Sequence, residues 1–156
     1  MIKKIRWKVL VVSLIIVYAV ALIGGLFTSR SVNSDWYQTT KTSITPPNFV
    51  FPIVWNILFF LIGLSLYFSW INSKRDYKFK IALVFGINFV LNISWSIIYF
   101  GLKNLSLAFF ELILLWVSIW LIIFVTCKLS KISTWLLIPY LIWVVFAGIL
   151  NFLSAF

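Results

Sequence analysis

The sequence predicts an all-α membrane protein, a bundle of five transmembrane helices. Three observations carry that expectation. Hydrophobic residues fill 63% of the 156 positions and charged residues only 10%, whereas soluble domains carry about one-quarter charged residues. Apolar runs recur along the whole chain, each near the length of about 20 residues that crosses a hydrocarbon core as a helix. None of the runs shows the short alternating pattern of a membrane barrel strand.

The first run, at about 9–27, follows the basic segment MIKKIRWK. Ala19-Val20-Ala21 imitates a signal-peptide cleavage site, but the apolar run continues through Leu26 and Phe27, so it reads as a retained span. The second run, at about 49–71, is preceded by Pro46 and Pro47 and carries Pro52 just inside it. Proline in a first turn loses no helical hydrogen bond, so these residues stiffen the entry and aim Trp55 inward. The third, fourth and fifth runs lie at about 81–100, 105–127 and 133–155. Pro139 falls inside the last of these and predicts a bend beside Trp143. The connections 72–80, 101–104 and 128–132 are short, and only 28–48 is long. The chain is therefore one domain, 1–156, with no soluble module between spans.

The net charge of +10 invites a nucleic-acid reading, but its distribution speaks for topology. Lys3, Lys4, Arg6, Lys8, Lys74, Arg75, Lys78, Lys80, Lys128 and Lys131 fall on one side of such a bundle, and Arg30, Lys41 and Lys103 on the other. This ten-to-three bias predicts a cytoplasmic N-terminus and an outer C-terminus. No nucleic-acid partner is expected; the lipid bilayer is. The chain has no histidine and one cysteine, Cys127. That excludes a histidine metal site, a cysteine zinc cluster and a Ser/Cys–His catalytic pair.

With that topology the unusual residues gather in the outer half of the bundle, under the long connection. Asn88, Asn92, Trp95 and Tyr99 form one helical stripe, and Tyr140, Trp143, Ala147 and Asn151 another. Both must face the interior, because amides facing lipid would go unsatisfied. The asparagines read either as interhelical glue or, for Asn92, as part of a ligand wall. Trp7, Trp70 and Trp135 lie near span ends and read as interfacial anchors. Trp116 and Trp120 face lipid or a second subunit. Trp36, Trp55, Trp95 and Trp143 converge on a cavity roofed by 28–48, whose flat aromatic walls suit a flat, largely apolar ligand. Glu111 is the one acid inside a span; it reads either as functional or as hydrated near the helix N-terminus. Ala82 and Gly86 form a small-xxx-small pair away from the asparagine stripe, a candidate dimer contact.

These residues also resemble a known family. Asp35-Trp36-Tyr37, Thr45-Pro46-Pro47, Pro52-Ile53-Val54-Trp55, Leu91-Asn92 with Trp95, Tyr99-Phe100-Gly101, Glu111, Pro139-Tyr140-Leu141-Ile142-Trp143, Phe146-Ala147 and Leu150-Asn151 occur in order across the chain. Together they resemble the TspO/MBR family of tryptophan-rich sensory and translocator (peripheral benzodiazepine receptor) proteins. The resemblance implies a usually dimeric five-helix protein of the cell membrane that binds porphyrins such as protoporphyrin IX, with isoquinoline carboxamide and benzodiazepine compounds as further ligands. It implies a sensor or regulator, with transport of porphyrins or other small apolar ligands as the alternative. It also implies ligand contacts by Trp36, Tyr37, Pro47, Trp55, Asn92, Trp95, Glu111, Tyr140, Trp143 and Ala147. Light- and oxygen-dependent porphyrin degradation, known for some members, would fall to Trp55 and Trp143 as catalytic residues. No cofactor is required by that reading, and porphyrin carboxylates are expected near Arg30 or Lys41. The family's Lys-Pro-x-Trp reads Lys41-Thr42-Ser43-Ile44 here, so a proline and a lid tryptophan are missing. The C-terminal Leu150-Asn151-Phe152-Leu153-Ser154-Ala155-Phe156 lacks the tyrosine and basic residue of a cholesterol pattern, so cholesterol binding is not expected.

Overall fold

A computed structural model describes residues 5–156, so the expected positions of Lys3 and Lys4 lie outside the described residues. The described chain forms helices α1 Trp7–Ser31, α2 Asp35–Thr40, α3 Val50–Asn72, α4 Arg75–Ser96, α5 Leu105–Thr126 and α6 Lys131–Ala155. A π-helical turn, Ile97–Gly101, continues α4. All but α2 are long and apolar enough to cross a membrane. The shortest of them, α4 and α5, have 22 residues each and reach about 33 Å at 1.5 Å per residue.

Each spanning helix is apolar nearly all round. Between 22% and 39% of its most apolar window is buried inside the protein. The rest faces outward: Leu22, Val90, Phe124 and Ile142 are all more than 60% exposed. Water would not tolerate that surface and lipid does. The chain is a multi-pass membrane protein. Trp7 and Trp135 are 65% and 72% exposed near helix starts. Trp70 is half-buried, with the Lys78 ammonium 5.3 Å above its ring.

The helices pack in a closed ring. α1 touches α3 and α4, α3 touches α6, and α5 joins α6 to α4. Val17, Ile62, Ile81, Phe85, Ile119, Leu137 and Tyr140 are among the residues that fill the middle. Small residues let the backbones approach. A Cβ on Gly24 would meet Ser96 Oγ at 3.2 Å, across the α1–α4 contact. Polar pairs fix the register. Ser65 Oγ donates to the Ser133 carbonyl at 2.9 Å, joining α3 to α6, and Asn88 Nδ2 donates to Ser118 Oγ at 2.8 Å, joining α4 to α5. The Arg6 amide reaches Tyr67 Oη at 3.2 Å. The starts of α1 and α6 therefore share one end of the bundle with the end of α3, and Arg6, Lys8, Lys74, Arg75 and Lys131 gather there.

Two connections differ from expectation. The basic segment 72–80 is mostly helix, because α4 begins at Arg75; leaving the membrane does not end a helix, and Lys and Arg are good helix formers. The long connection 28–48 is also not plain loop. α1 runs on to Ser31, and α2 forms inside the connection, capped by Ser34 Oγ, which accepts from the Tyr37 amide. Asn104 and Ser130 cap α5 and α6 in the same way. Ala82 is exposed, and a Cβ on Gly86 would meet nothing within 4 Å. A side chain at either position would therefore find open space on the outer side of α4.

Candidate functional site: an aromatic cavity beneath the first connection

The bundle holds a cavity of about 370 Å³ at the end away from the basic cluster. Its walls come from α1, α3, α4, the π turn and α6, and its roof from α2 and the segment that follows. α5 contributes nothing to the wall; it packs behind α4 and α6.

Of the expected site residues, Tyr37, Trp55, Asn92, Trp95, Trp143 and Ala147 line this one space. Trp55 stands on α3, tilted over Phe59 at 5.4 Å and edge-on to Tyr140 at 6.2 Å. Trp143 on α6 meets Phe51 at 5.9 Å. Trp95 on α4 leans on Tyr99 of the π turn at 5.0 Å. Its Nε1–H donates to Asn151 Oδ1 at 3.2 Å, and Asn151 Nδ2 donates to the Leu105 carbonyl at 2.9 Å. Trp143 Nε1–H is buried and has no partner. One indole is fixed by a hydrogen bond; the other has its donor uncommitted.

Four expected residues stand off the wall. Trp36 and Tyr37 are neighbours on a helix and so point about 100° apart. Tyr37 takes the inward position, 5% exposed, while Trp36 packs edge-on against Tyr99 with the Lys103 ammonium 5.4 Å from its ring. Pro47 is exposed at the rim, between the wall residues Thr45 and Asn48. Tyr140 is fully buried behind the wall, where its hydroxyl accepts from Asn92 Nδ2 at 3.2 Å and donates to Asn88 Oδ1 at 3.3 Å. Asn88 is thus interhelical glue. Asn92 is glue and wall at once. Glu111 sits on α5, 7% exposed, and neither carboxyl oxygen has a hydrogen-bond partner. Its helix is not part of the cavity, which removes it as a direct ligand contact.

The structure adds wall residues beyond the expected ones. Ala21, Gly24, Gly25 and Thr28 line the cavity from α1. Their spacing of three, one and three marks one helical face, a signal present in the sequence as a run of small residues. Tyr99 and Phe100 are presented by the π turn, a device often found beside functional sites. Among the described residues Lys41 is the one charged residue on the wall; Arg30 is not part of it. Burial, with Tyr99 nearby, pushes the Tyr37 phenol up to about 12, so it stays neutral and lines the roof as a weakly polar surface. The chemistry offered is therefore stacking, a few neutral hydrogen-bonding groups and one ammonium.

A second hollow, a shallow groove between α5 and α6, is lined by Phe109, Leu112, Trp116, Gly148 and other apolar residues. It opens on the lipid-facing side and has none of the polar groups that would orient a ligand.

Residues 12–155 match the TspO/MBR family model. The chain is 38% identical to a tryptophan-rich protein TspO of Archaeoglobus fulgidus, over 92% of each chain. It is 37% identical to one of Bacillus cereus, over 83% of this chain and 88% of the relative. It is 36% identical to one of Chlorobaculum tepidum, over 86% and 85%.

Proposed function

This chain belongs to the TspO/MBR family of membrane proteins, and we propose that it is a receptor for flat, largely apolar tetrapyrroles of the protoporphyrin IX class, acting as a sensor or regulator in the cell membrane. The observation that carries the reading is the convergence of Trp55, Trp95 and Trp143, from three helices, on one roofed cavity. A macrocycle offers two broad π faces, and offset or edge-on aromatic contacts contribute about 0.5–1.5 kcal/mol each beyond buried area. The chain has no histidine, and Cys127 is not on the wall, so among the described residues only a tyrosine such as Tyr37 could reach a haem iron there. Metal-free porphyrin is therefore preferred to haem.

The test is spectroscopic. Protein in lipid nanodiscs is titrated with protoporphyrin IX in darkness, and tryptophan fluorescence is followed. Saturable quenching that weakens when Gly25 is replaced by Leu supports the receptor; quenching no greater than that of empty nanodiscs plus free tryptophan ends it.

One observation favours a second reading, degradation of the bound porphyrin under light and oxygen. The Trp143 ring lines the cavity together with Trp55, and its buried Nε1–H has no partner; an indole beside a photoexcited macrocycle can exchange an electron with it. Bleaching of bound porphyrin under illumination, with a new absorbing product, supports this; a spectrum unchanged by light and oxygen refutes it while leaving the receptor intact. Uptake into sealed vesicles in darkness would instead mark a transporter.

A further inference from the structure

We infer that Lys41 is an anion-recognising residue at the cavity mouth, so that the site selects a flat ligand carrying a carboxylate at one edge over the same molecule without the charge. The inference rests on the receptor reading above and specifies its ligand. Lys41 lies just after α2 and, among the described residues, is the one charged side chain on the cavity wall. It is half-buried. Its backbone N–H is used, closing α2 on the Tyr37 carbonyl at 3.0 Å, whereas its ammonium has no hydrogen bond or ion pair among the described residues. An ammonium on the wall of a largely apolar cavity, with no counter-ion of the protein's own, is free to form a charge-assisted hydrogen bond with an incoming anion.

The surroundings agree. The chain has three acidic residues in all: Asp35, Asp76 and Glu111. None of them lines the cavity. Asp76 lies in the first turn of α4, at the opposite end of the bundle, and Asp35 in the first turn of α2, with no ion pair to Lys41. The same wall carries the aromatic side chains Tyr37, Phe51, Trp55 and Trp143. A ligand with an anionic edge and an apolar body fits only one way, body inward and charge at the mouth. Lys41 thus sets orientation as well as affinity.

The experiment compares protoporphyrin IX, which carries two carboxylates, with its dimethyl ester, which carries none, in nanodiscs of neutral phosphatidylcholine. Dissociation constants are read by tryptophan quenching for the wild type and for the Lys41→Gln, Lys41→Arg and Lys103→Gln variants. Lys103 removes the same charge from the same end but lies off the wall, so it controls for the general basicity of the protein. Lys41→Gln is expected to weaken the free acid by about tenfold, the scale of one lost charge-assisted bond, and the ester by less than about twofold. Lys41→Arg should keep most of the preference, and Lys103→Gln should leave it unchanged. An acid-to-ester ratio that Lys41→Gln does not alter, or that Lys103→Gln alters equally, overturns the inference while porphyrin binding stands. Failure of the wild type to bind either porphyrin overturns both it and the receptor.

Discussion

Trp95 and Trp143 line the same cavity, yet their indole nitrogens differ in what they hold. Replacing Trp95 by Phe removes its bond to Asn151 and leaves Asn151 Oδ1 unpaired at the α4–α6 contact. A loss of about 1–3 kcal/mol follows for a buried acceptor left alone, seen as a lower unfolding temperature in nanodiscs. Replacing Trp143 by Phe removes no hydrogen bond; stability should change little, and porphyrin affinity should fall by about 1 kcal/mol as one aromatic face is exchanged for another. If the Trp143 indole takes part in chemistry, that variant binds porphyrin but no longer bleaches it in light, while Trp95→Phe loses binding and bleaching in proportion. Tyr37 gives a pH signature. Its phenol is held neutral, up to about 12, by burial first and by Tyr99 second, so between pH 10 and 12 the unfolded chain ionises at this residue and the folded chain does not. The stability that Tyr37 contributes is complete below pH 10 and is lost as pH rises toward 12. Tyr37→Phe should flatten that part of the unfolding-versus-pH curve; an unchanged slope would show that the roof is hydrated.

At the scale of elements, α1 supplies a wall of small residues whose two glycines play different parts. A side chain on Gly24 meets Ser96 at once, whereas one on Gly25, which also lines the cavity, meets nothing within 4 Å. Gly25→Leu should therefore fold normally and lower porphyrin affinity by at least about tenfold, a loss on the order of 1.4 kcal/mol, by occupying ligand space. Gly24→Leu should instead loosen α1 from α4 and lower the unfolding temperature. Parallel titration and thermal unfolding of the two variants separate these outcomes. The five spans were legible in the sequence because apolar length is a one-dimensional property. The tryptophan stripes were legible because 3.6-residue spacing places Trp95 beside Asn92 and Trp143 beside Ala147. The π turn at Ile97–Gly101 was not, since a hydrogen-bond shift there leaves no residue-type signature. Nor was the position of Glu111. Depth along α5 follows from the sequence, but which helices close the ring around the cavity does not, and α5 proves to stand outside the wall. Trp36 and Tyr37 were both expected inside; which of the two turns inward depends on how α2 rotates over the bundle, and no local pattern decides it.

For the molecule as a whole, two properties remain as expectations with a physical basis. By the positive-inside rule the basic cluster at one end of the bundle predicts a cytoplasmic location for that end and an outer one for the cavity mouth. A phosphatase fused after Phe156 should be active outside the membrane and a fluorescent reporter at the same site dark; the reverse result would invert the orientation and put Lys41 on the cytoplasmic side. Dimerisation concerns the opposite surface. Gly86 lies on an outward strip of α4 with Ala82 one turn before it, and neither lies on the cavity wall. Two copies meeting along such a strip bring their backbones close without displacing any side chain that the single subunit needs. Gly86→Leu should therefore shift the protein toward monomer in mass measurements of detergent-solubilised samples, while porphyrin affinity stays within about twofold, near 0.4 kcal/mol. Leu on a lipid-facing surface costs nothing in itself, so a monomeric variant that still binds porphyrin would separate assembly from recognition. A Gly86→Leu protein as dimeric as the wild type would remove this strip from the interface, and the groove between α5 and α6, with Trp116 and Gly148 on its floor, would become the next surface to test.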